Sequence, residues 1–452
     1  MENPLGIHST GEEILNFDLV GLPLLLIPAL AGFFEIFWLD HRVRWMGHGL
    51  AVALWWITWS FCDPQLTLAS WTIHPESFWF LTTLGLVWSL TIPVLEGIRF
   101  CGLSHPMTSV AGNWAFAIAM VALGIQQPLW LTVSVLALAI VFDWNLGTRT
   151  PTHDFFSWGI QVVVLILLGR VFEEDEVGAF ILALAWWRLM NLPPFHGFWK
   201  RFQSQPVAGV VVVAMGVTPI VGCHELIEMG TPAQWMSLFG LLSSFWMGRE
   251  ILSKGLFRAW WAWHPLLISV WITLWGILEI PTSVLLQAHL GTMLALTWWV
   301  GIMAVMKLEV RPGASVPSAA RSSLMIPLVL LVPGPWTALG FAALAPLSFF
   351  WNSWQDDRLV QIPGISLVIE GGVAFVALVA TALLMWLTLV LVSLYRGYKE
   401  LIQPGNPYLR FFFNPALAVA QFLIGMTLLM VTWGDLGFVD MARDWAVRWL
   451  ES

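Results

Sequence analysis

An arginine and a helix-breaking proline pair lie close together in the middle of a long apolar stretch. Arg188 follows a tryptophan pair, and Pro193-Pro194 begins five residues later. A cation inside a membrane span is costly, and a Pro-Pro pair frees backbone groups that only protein or water can satisfy. The combination predicts a place where ions or protons are handled, or one that another subunit covers. If Arg188 lies at a span boundary instead, its long side chain simply reaches the interface.

Other titratable side chains within or next to apolar runs are candidates for the same ion path. His196, at the break, could relay protons near neutral pH or cap freed carbonyls. His224 and Glu225 end an apolar run and could form an outer proton entrance, although solvated helix-end charges are the favoured interpretation. Glu96 lies near an inner span end, where a paired or solvated carboxylate is expected. The remaining candidates are Lys200, Arg258, His264, His289 and Asp143.

The alternatives for these remaining candidates differ. Lys200 suits a positively charged anchor on the inner side better than an ion ligand. His264 and His289 fall within apolar spans, where they could belong to a hydrated polar path or to the satisfied interior. Asp143, like Glu96, lies near an inner span end.

Enzyme chemistry carried by this chain alone is not expected. No nucleotide-binding glycine loop, metal-ligand cluster or nucleophile motif is present, so we expect no cofactor and no metal. The three cysteines, Cys62, Cys101 and Cys223, have no metal or redox spacing. The sequence pI near 5.7 argues against nucleic-acid binding.

The composition indicates a polytopic α-helical membrane protein with the lipid bilayer as its solvent. Hydrophobic residues make up 58% of the chain, charged residues 11%, and the mean hydropathy is +0.78. Apolar runs long enough to cross a bilayer recur throughout. We predict a single membrane domain, 1–452, of about fourteen spans: 19–39, 46–62, 77–95, 109–125, 128–143, 155–171, 177–202 (broken), 206–226, 234–253, 259–280, 283–306, 323–355 (broken), 366–395 and 413–434.

The distribution of basic residues predicts which loops face the cytoplasm. With the N-terminus outside, 15 of the 20 basic residues fall in inner loops, Arg44 among them, and Arg188 stays in the membrane. This positive-inside bias predicts a multi-pass protein of the bacterial cytoplasmic (inner) membrane. The first 17 residues lack the basic start and cleavage site of a signal peptide. Tryptophan pairs such as Trp55-Trp56 fit interfacial belts and contacts with other membrane subunits.

Two broken spans resemble each other and predict an internal repeat. Breakers at Pro193 and at Pro346 interrupt the seventh and twelfth spans. Discontinuous helices in corresponding positions of two halves are typical of transporters built from inverted repeats. The C-terminal segment, about 435–452, is amphipathic and is expected to lie along the membrane surface or on a neighbouring subunit.

These features resemble the antiporter-like proton-pumping subunits of respiratory complex I and of Mrp-type cation/proton antiporters. The antiporter-like core would span about 109–395, with the best likeness between 177 and 355. The family's Leu-Pro and Pro-Thr-Pro-Val-Ser segment resembles Leu192-Pro193 followed by residues 205–208. Its Leu-Asn-His segment resembles residues 286–289, and its Pro-Pro-Leu-Ser-Gly-Phe-Phe segment resembles residues 343–350.

The family's proton-handling residues transfer poorly. The lysine of the broken seventh span falls on Arg188, the eighth-span histidine falls on Val212, and the later lysines fall roughly on Met293 and Ser353. No glutamate can be placed in the fifth span. A buried lysine can give up its proton, whereas an arginine keeps its charge, so Arg188 cannot be the same loading site. It could bind an anion, hold a carboxylate or act as a barrier to cations.

The resemblance implies an antiporter-like membrane subunit of a larger energy-converting complex, translocating protons or sodium or supporting that translocation. Its driving reaction, such as redox chemistry, would belong to partner subunits. The alternative is a non-conducting membrane scaffold that anchors a partner, including one of an inorganic-carbon uptake complex. A third hypothesis is a free-standing transporter of an anionic solute with Arg188 as its counter-charge.

Overall fold

Ten α-helices make up nearly all of the part of the chain that the structure, a computed structural model, describes. That part comprises 21–38, 40–61, 66–68, 71–73, 75–100, 107–125, 128–146, 154–172, 176–196, 208–230, 234–254, 260–278 and several residues between 282 and 297. The helices are α1 Gly21–Phe37, α2 His41–Ser60, α3 Pro75–Phe100, α4 Thr108–Ala122, α5 Pro128–Leu146, α6 Asp154–Val171, α7 Glu176–Leu189, α8 Ala208–Glu228, α9 Gln234–Lys254 and α10 Trp263–Leu278.

A short antiparallel hairpin, Leu66–Leu68 with Trp71–Ile73, joins α2 to α3 and is a small departure from the all-helical prediction. The helices otherwise match the predicted spans from 19 to 280, although α2 begins five residues early, at His41. The second predicted break at Pro346, the end of the core and the C-terminal tail lie outside the described residues.

The central element of the described bundle is α4. It packs against α1, α3, α5 and α8, while α6 packs against α7 and α9 against α10. Close approach depends on small residues: a Cβ on Gly112 would lie 2.8 Å from Ile92, and one on Gly159 would lie 2.3 Å from Ala139. Small residues that let backbones approach are typical of helix packing inside membranes.

The outward faces of the described helices are apolar. Two helical segments, Ser77–Glu96 and Gly209–Glu228, are long and apolar enough to cross a bilayer by length and composition. Large hydrophobic side chains are exposed along α1, α2, α5, α6 and α9, for example Leu50 at 63% and Leu129 at 65%. Contiguous exposed apolar surface fits contact with lipid or with other membrane subunits.

Several tryptophans lie in the interior rather than in the predicted interfacial belts. Trp55, Trp88, Trp158, Trp186 and Trp261 are each at most 1% exposed. Some of their indole groups donate hydrogen bonds inside the bundle, from Trp55 to the Leu24 carbonyl, from Trp88 to Asn113 and from Trp158 to the Arg188 carbonyl. An indole with an internal acceptor can be buried whole, because its N–H is then satisfied.

Candidate functional site

Two histidines from separate predicted spans meet in the interior. His264, in the first turn of α10, and His289, in the partly described helical stretch that follows, are each 1% exposed. The distance from His264 Nε2 to His289 Nδ1 is 2.7 Å, and His289 Nε2 lies 3.2 Å from the Gly216 carbonyl oxygen of α8. The pair therefore connects three segments of the chain through imidazole nitrogens.

The Gly216 carbonyl fixes the direction of these hydrogen bonds. A carbonyl only accepts, so His289 Nε2 carries the hydrogen, and in a neutral His289 ring Nδ1 must then accept from His264 Nε2–H. This leaves Nδ1 of neutral His264 as the nitrogen that can take up a proton. Packing around the glycine is close: a Cβ at position 216 would lie 3.1 Å from both Met293 and Val87, which is tighter than an ordinary contact.

Apolar side chains occupy the places where the resemblance puts the family's titratable residues. Met293, one helical turn beyond His289, is 2% exposed and packs against Gly216. Val212 of α8 is 1% exposed. Neither side chain can carry a proton, so any proton route past the histidine pair must differ from the family's row of lysines and histidines. Ser353, the third such position, lies outside the described residues.

Arg188 is held by side-chain amide oxygens and not by the carboxylate that the sequence analysis allowed for. Its Nε and Nη2 donate to Gln161 Oε1 at 3.1 and 3.0 Å, and Nη1 donates to Asn191 Oδ1 at 2.7 Å. The guanidinium carbon lies 5.1 Å from the centre of the Phe195 ring. Side-chain amides and an aromatic face can hold a guanidinium without neutralising it. Arg188 is thus a fixed charge at the end of α7.

The chain leaves the helix at the predicted break. Helix α7 ends at Leu189, Asn191 has a φ of 53°, and the Pro193-Pro194 peptide bond is cis. The Pro193 carbonyl, freed from helical bonding, accepts from Trp187 Nε1 at 2.8 Å and from Ser243 Oγ at 3.2 Å. Side chains of α7 and α9 therefore satisfy the backbone at the break.

His196 lies just after this turn and is 6% exposed. Its ring stacks on Trp261 at 6.2 Å and meets Trp246 edge-on at 5.4 Å. Tight aromatic contacts on the ring favour a packing role for this histidine over a hydrated relay.

His224 and Glu225 are buried, so the favoured sequence interpretation of solvated helix-end charges is wrong for them. They are 7% and 8% exposed, because the end of α8 packs against the start of α3. His224 Nε2 lies 2.7 Å from Ser77 Oγ and Nδ1 lies 3.3 Å from Glu225 Oε1. Glu228, whose side chain is half exposed, lies 3.8 Å from His224 and continues this polar group to the surface.

A buried ion pair lies on the other side of the bundle, where the sequence predicted a loop. Arg44, assigned above to an inner loop, lies in α2, and its Nη1 is 3.3 Å from Glu96 Oε1 of α3. Ser109 of α4 donates to the same carboxylate, and Arg44 Nε donates to the Trp38 carbonyl. Because these partners replace water around the charge, the arginine can be 2% exposed.

This network continues into the interior through Glu35. Asn113 Nδ2 of α4 donates to Glu35 Oε1 at 3.0 Å, and Trp88 Nε1 donates to Asn113 Oδ1 at 2.6 Å. Glu35 Oε2 and both ring nitrogens of His48 are buried without a hydrogen-bond partner. Glu35, Arg44 and His48 line a cavity of about 230 Å³ between α1 and α2. We call Glu35, Arg44, Glu96, Ser109 and Asn113 the α1–α4 network.

Three sequence candidates remain. Asp143 is partly buried near the end of α5, and Lys200 and Arg258 lie outside the described residues. Within the described ranges no three histidine, cysteine or acidic side chains are arranged to hold a metal ion. Glu35 and His48 were not predicted from the sequence. The available signal was a single acid inside the first apolar run and a histidine inside the second.

Solved structures share the fold of this chain at low sequence identity. No family profile and no curated protein matches the chain. A chain of respiratory complex I from Thermus thermophilus with bound Aureothin has a TM-score of 0.55 at 17% identity, covering 89% of this chain and 96% of that chain. A chain of the same complex with bound NADH has a TM-score of 0.53 at 13% identity, covering 90% and 95%. The protein thus shares its fold, over most of its length, with a chain of respiratory complex I.

Proposed function

We propose that this chain is an antiporter-like membrane subunit of a larger energy-converting complex and that it handles protons through His264 and His289. The observation that carries the proposal is the buried hydrogen bond between the two imidazoles, continued to the Gly216 carbonyl. Imidazole takes up and releases protons near neutral pH, and two linked rings pass a proton over a longer distance than one.

The arrangement favours protons over sodium. Sodium, a hard cation, prefers oxygen ligands, as calcium and magnesium do, whereas the pair presents nitrogen atoms. A proton added at His264 Nδ1 allows the Nε2 proton of His264 to pass to His289 Nδ1. His289 then carries a proton on each nitrogen, and release from Nε2 requires its bond to the Gly216 carbonyl to open. Opening of the hydrogen bond between His289 Nε2 and the Gly216 carbonyl is therefore the step that controls proton release.

Membership of a complex is supported by the fold and by the apolar outer surface. The solved relatives are chains of a multisubunit complex, and the described helices expose large apolar side chains on their outer faces. We propose a multi-pass subunit of a bacterial cytoplasmic membrane, in lateral contact with other membrane subunits. The test is to purify the tagged full chain from native membranes in mild detergent. Stoichiometric membrane partners are expected; a protein that runs alone would contradict the proposal.

A non-conducting scaffold is the second candidate, and specific side chains favour it. Met293 and Val212 are buried where the resemblance expects titratable residues, and Arg188 carries a fixed charge. A scaffold would assemble with the same partners, including those of an inorganic-carbon uptake complex, but would not move protons. The two candidates differ in the effect of His289 substitutions on proton flux, not in the partners that copurify.

A further inference from the structure

Large apolar side chains make up most of the outward face of α6 and α7. Val164 and Leu168 of α6 are 47% and 45% exposed, and Val177 of α7 is 60% exposed. Arg188 lies half-buried on the same side of the two helices, because its guanidinium binds the exposed Gln161, three residues before Val164. The face that meets lipid or another subunit therefore carries a positive charge. We call Val164, Leu168, Val177 and Arg188 the α6–α7 face.

No carboxylate balances Arg188 among the residues that the structure describes. Its three side-chain hydrogen bonds run to Gln161 and Asn191, which are both neutral. Arg44 of the α1–α4 network shows the contrast, because Glu96 Oε1 lies 3.3 Å from its Nη1. A cation at membrane depth is costly, and such residues almost always pair with another group or face a polar cavity. The surroundings of Arg188 thus favour an opposite charge from outside this part of the chain.

The guanidinium can bind one more acceptor group. Of its five N–H groups, Nε–H and one on Nη2 are donated to Gln161, and one on Nη1 is donated to Asn191. Within the described ranges, one N–H on each terminal nitrogen is left for a further acceptor. A carboxylate accepts two guanidinium N–H groups at once, in short charge-assisted hydrogen bonds. Charge and donor geometry therefore select the same group.

The depth of Arg188 in the membrane limits the sources of this carboxylate. Helix α7 begins at Glu176, and at about 1.5 Å per residue Arg188 lies roughly 18 Å along the helix. The hydrocarbon core of a bilayer is about 30 Å thick, so Arg188 lies near its middle. The phosphate of a lipid headgroup lies at the edge of that core and cannot reach the guanidinium. An acidic side chain on a neighbouring membrane helix can.

We propose that the α6–α7 face docks a membrane helix of a partner subunit that carries an aspartate or a glutamate at the depth of Arg188. This inference rests on the proposed membership of a complex and names the chemistry of one partner. The apolar side chains of the face pack against the partner helix, and its carboxylate accepts the two remaining N–H groups of Arg188. The pairing balances both charges, since a carboxylate within a membrane helix also requires a partner.

Photo-crosslinking from the α6–α7 face identifies the docked helix. Val164 is replaced by the photoreactive amino acid benzoylphenylalanine in the full chain, native membranes are illuminated, and the crosslinked peptide is identified by mass spectrometry. We expect a peptide of a copurifying membrane subunit with an aspartate or a glutamate within one helical turn of the crosslinked residue. A crosslink to lipid alone, to this chain itself or to a helix without an acidic residue would overturn the inference.

Moving the carboxylate from one side of the contact to the other tests the pairing itself. Gln161→Glu supplies a carboxylate from within the chain with almost no change of shape, so the acid of the partner is left unpaired. Replacing the acid of the partner by its amide leaves Arg188 unpaired instead. Each change alone should lower the amount of partner that copurifies by about tenfold, a 1.4 kcal/mol change in binding. The two changes together should restore it to within about twofold of wild type, because one carboxylate again faces Arg188.

The double variant separates pairing from general damage. If it retains no more partner than the single variants do, or if Gln161→Glu alone retains as much as wild type, the inference is wrong. Arg188→Lys keeps the positive charge and should retain more partner than Gln161→Glu does. If no membrane subunit copurifies with the wild type, the proposed membership of a complex fails together with this inference. Partners that copurify but do not respond to these changes would contradict the docking alone.

Discussion

Arg44 Nη1 lies 3.3 Å from Glu96 Oε1, and both side chains are 2% exposed, so the ion pair between α2 and α3 is shielded from solvent. Removing one partner of a buried pair is far more damaging than removing both, because the remaining charge is left unpaired. Loss of either side chain alone is therefore expected to destabilise the contact between α2 and α3 more than loss of both.

Arg44→Leu should destabilise the assembled protein by about 3–5 kcal/mol, the usual cost of breaking a buried pair. The double variant Arg44→Leu with Glu96→Leu should recover most of this loss. Thermal unfolding followed by size-exclusion chromatography measures both effects. If the double variant is as unstable as the single one, the pair is not the source of the loss.

Gly85→Ala should disturb the contact between α2 and α3. A Cβ at this position would lie 2.1 Å from the Trp55 ring, which is completely buried and cannot withdraw easily. Overpacking of this kind typically costs about 1–3 kcal/mol. Gly49→Ala is the matched control, because a Cβ there meets nothing. A thermal shift in Gly85→Ala no larger than that of Gly49→Ala would contradict the packing described here.

Gln161→Leu should weaken the fixation of Arg188, since the guanidinium loses the acceptor of two of its three side-chain hydrogen bonds. Hydrogen bonds to charged groups contribute about 1.5–3 kcal/mol, which sets the expected loss of stability. Gln161→Glu keeps the acceptor and adds an opposite charge, so it should not destabilise. The same sign of thermal shift for both variants would argue against this role of Gln161.

Arg188→Lys separates charge from geometry. Lysine keeps a positive charge but cannot reproduce the planar fork that binds Gln161 Oε1 twice. We expect a loss of stability close to that of Gln161→Leu, with assembly retained. Arg188→Leu should lower assembly less than Arg44→Leu does, because Arg188 is paired with no carboxylate among the residues that the structure describes. A collapse of assembly in Arg188→Leu alone would show that a charged partner within the chain had been overlooked.

Ser77→Ala should loosen the contact between α3 and α8. It removes the hydroxyl 2.7 Å from His224 Nε2 and leaves a buried imidazole nitrogen short of its partner. An unsatisfied buried polar atom costs about 1–3 kcal/mol. Glu228→Gln, at 3.8 Å and half exposed, should change stability little. The melting temperatures of the two variants test this prediction. A larger fall in Glu228→Gln than in Ser77→Ala would contradict the role given to Ser77.

Prediction from the sequence succeeded where one strong local signal determined the structure. Long apolar runs located the helices as far as α10, and Pro193-Pro194 located the end of α7. The partners of Arg188 could not be foreseen, because Gln161 lies 27 residues away on another helix and an amide carries no charge pattern. Arg44 was placed in a loop for a similar reason: a positive-inside count treats each cation as solvated, and only the fold brings Glu96 beside it.

The histidine pair shows the same limit at the proposed proton site. His264 and His289 were each recognised as polar side chains within apolar spans, but nothing in their spacing of 25 residues predicts a 2.7 Å contact. Its third partner, the Gly216 carbonyl, is a backbone atom and leaves no residue-type signal. Glu35 was not predicted because the sequence alone does not show that Asn113 and Arg44 lie near this single acid of the first span.

Proton flux through His289 variants tests the central claim most directly. The complex that contains this chain is reconstituted into vesicles, a membrane potential is imposed with a potassium gradient and valinomycin, and internal pH is followed. His289→Gln keeps a donor for the Gly216 carbonyl and an acceptor for His264 but cannot carry a proton, so assembly should be normal. We expect flux to fall about 100-fold, the lower end of what a positioned proton-transfer group contributes. Wild-type flux in assembled His289→Gln would contradict proton transfer through the pair. It would favour the non-conducting scaffold, because the flux would then pass through partner subunits.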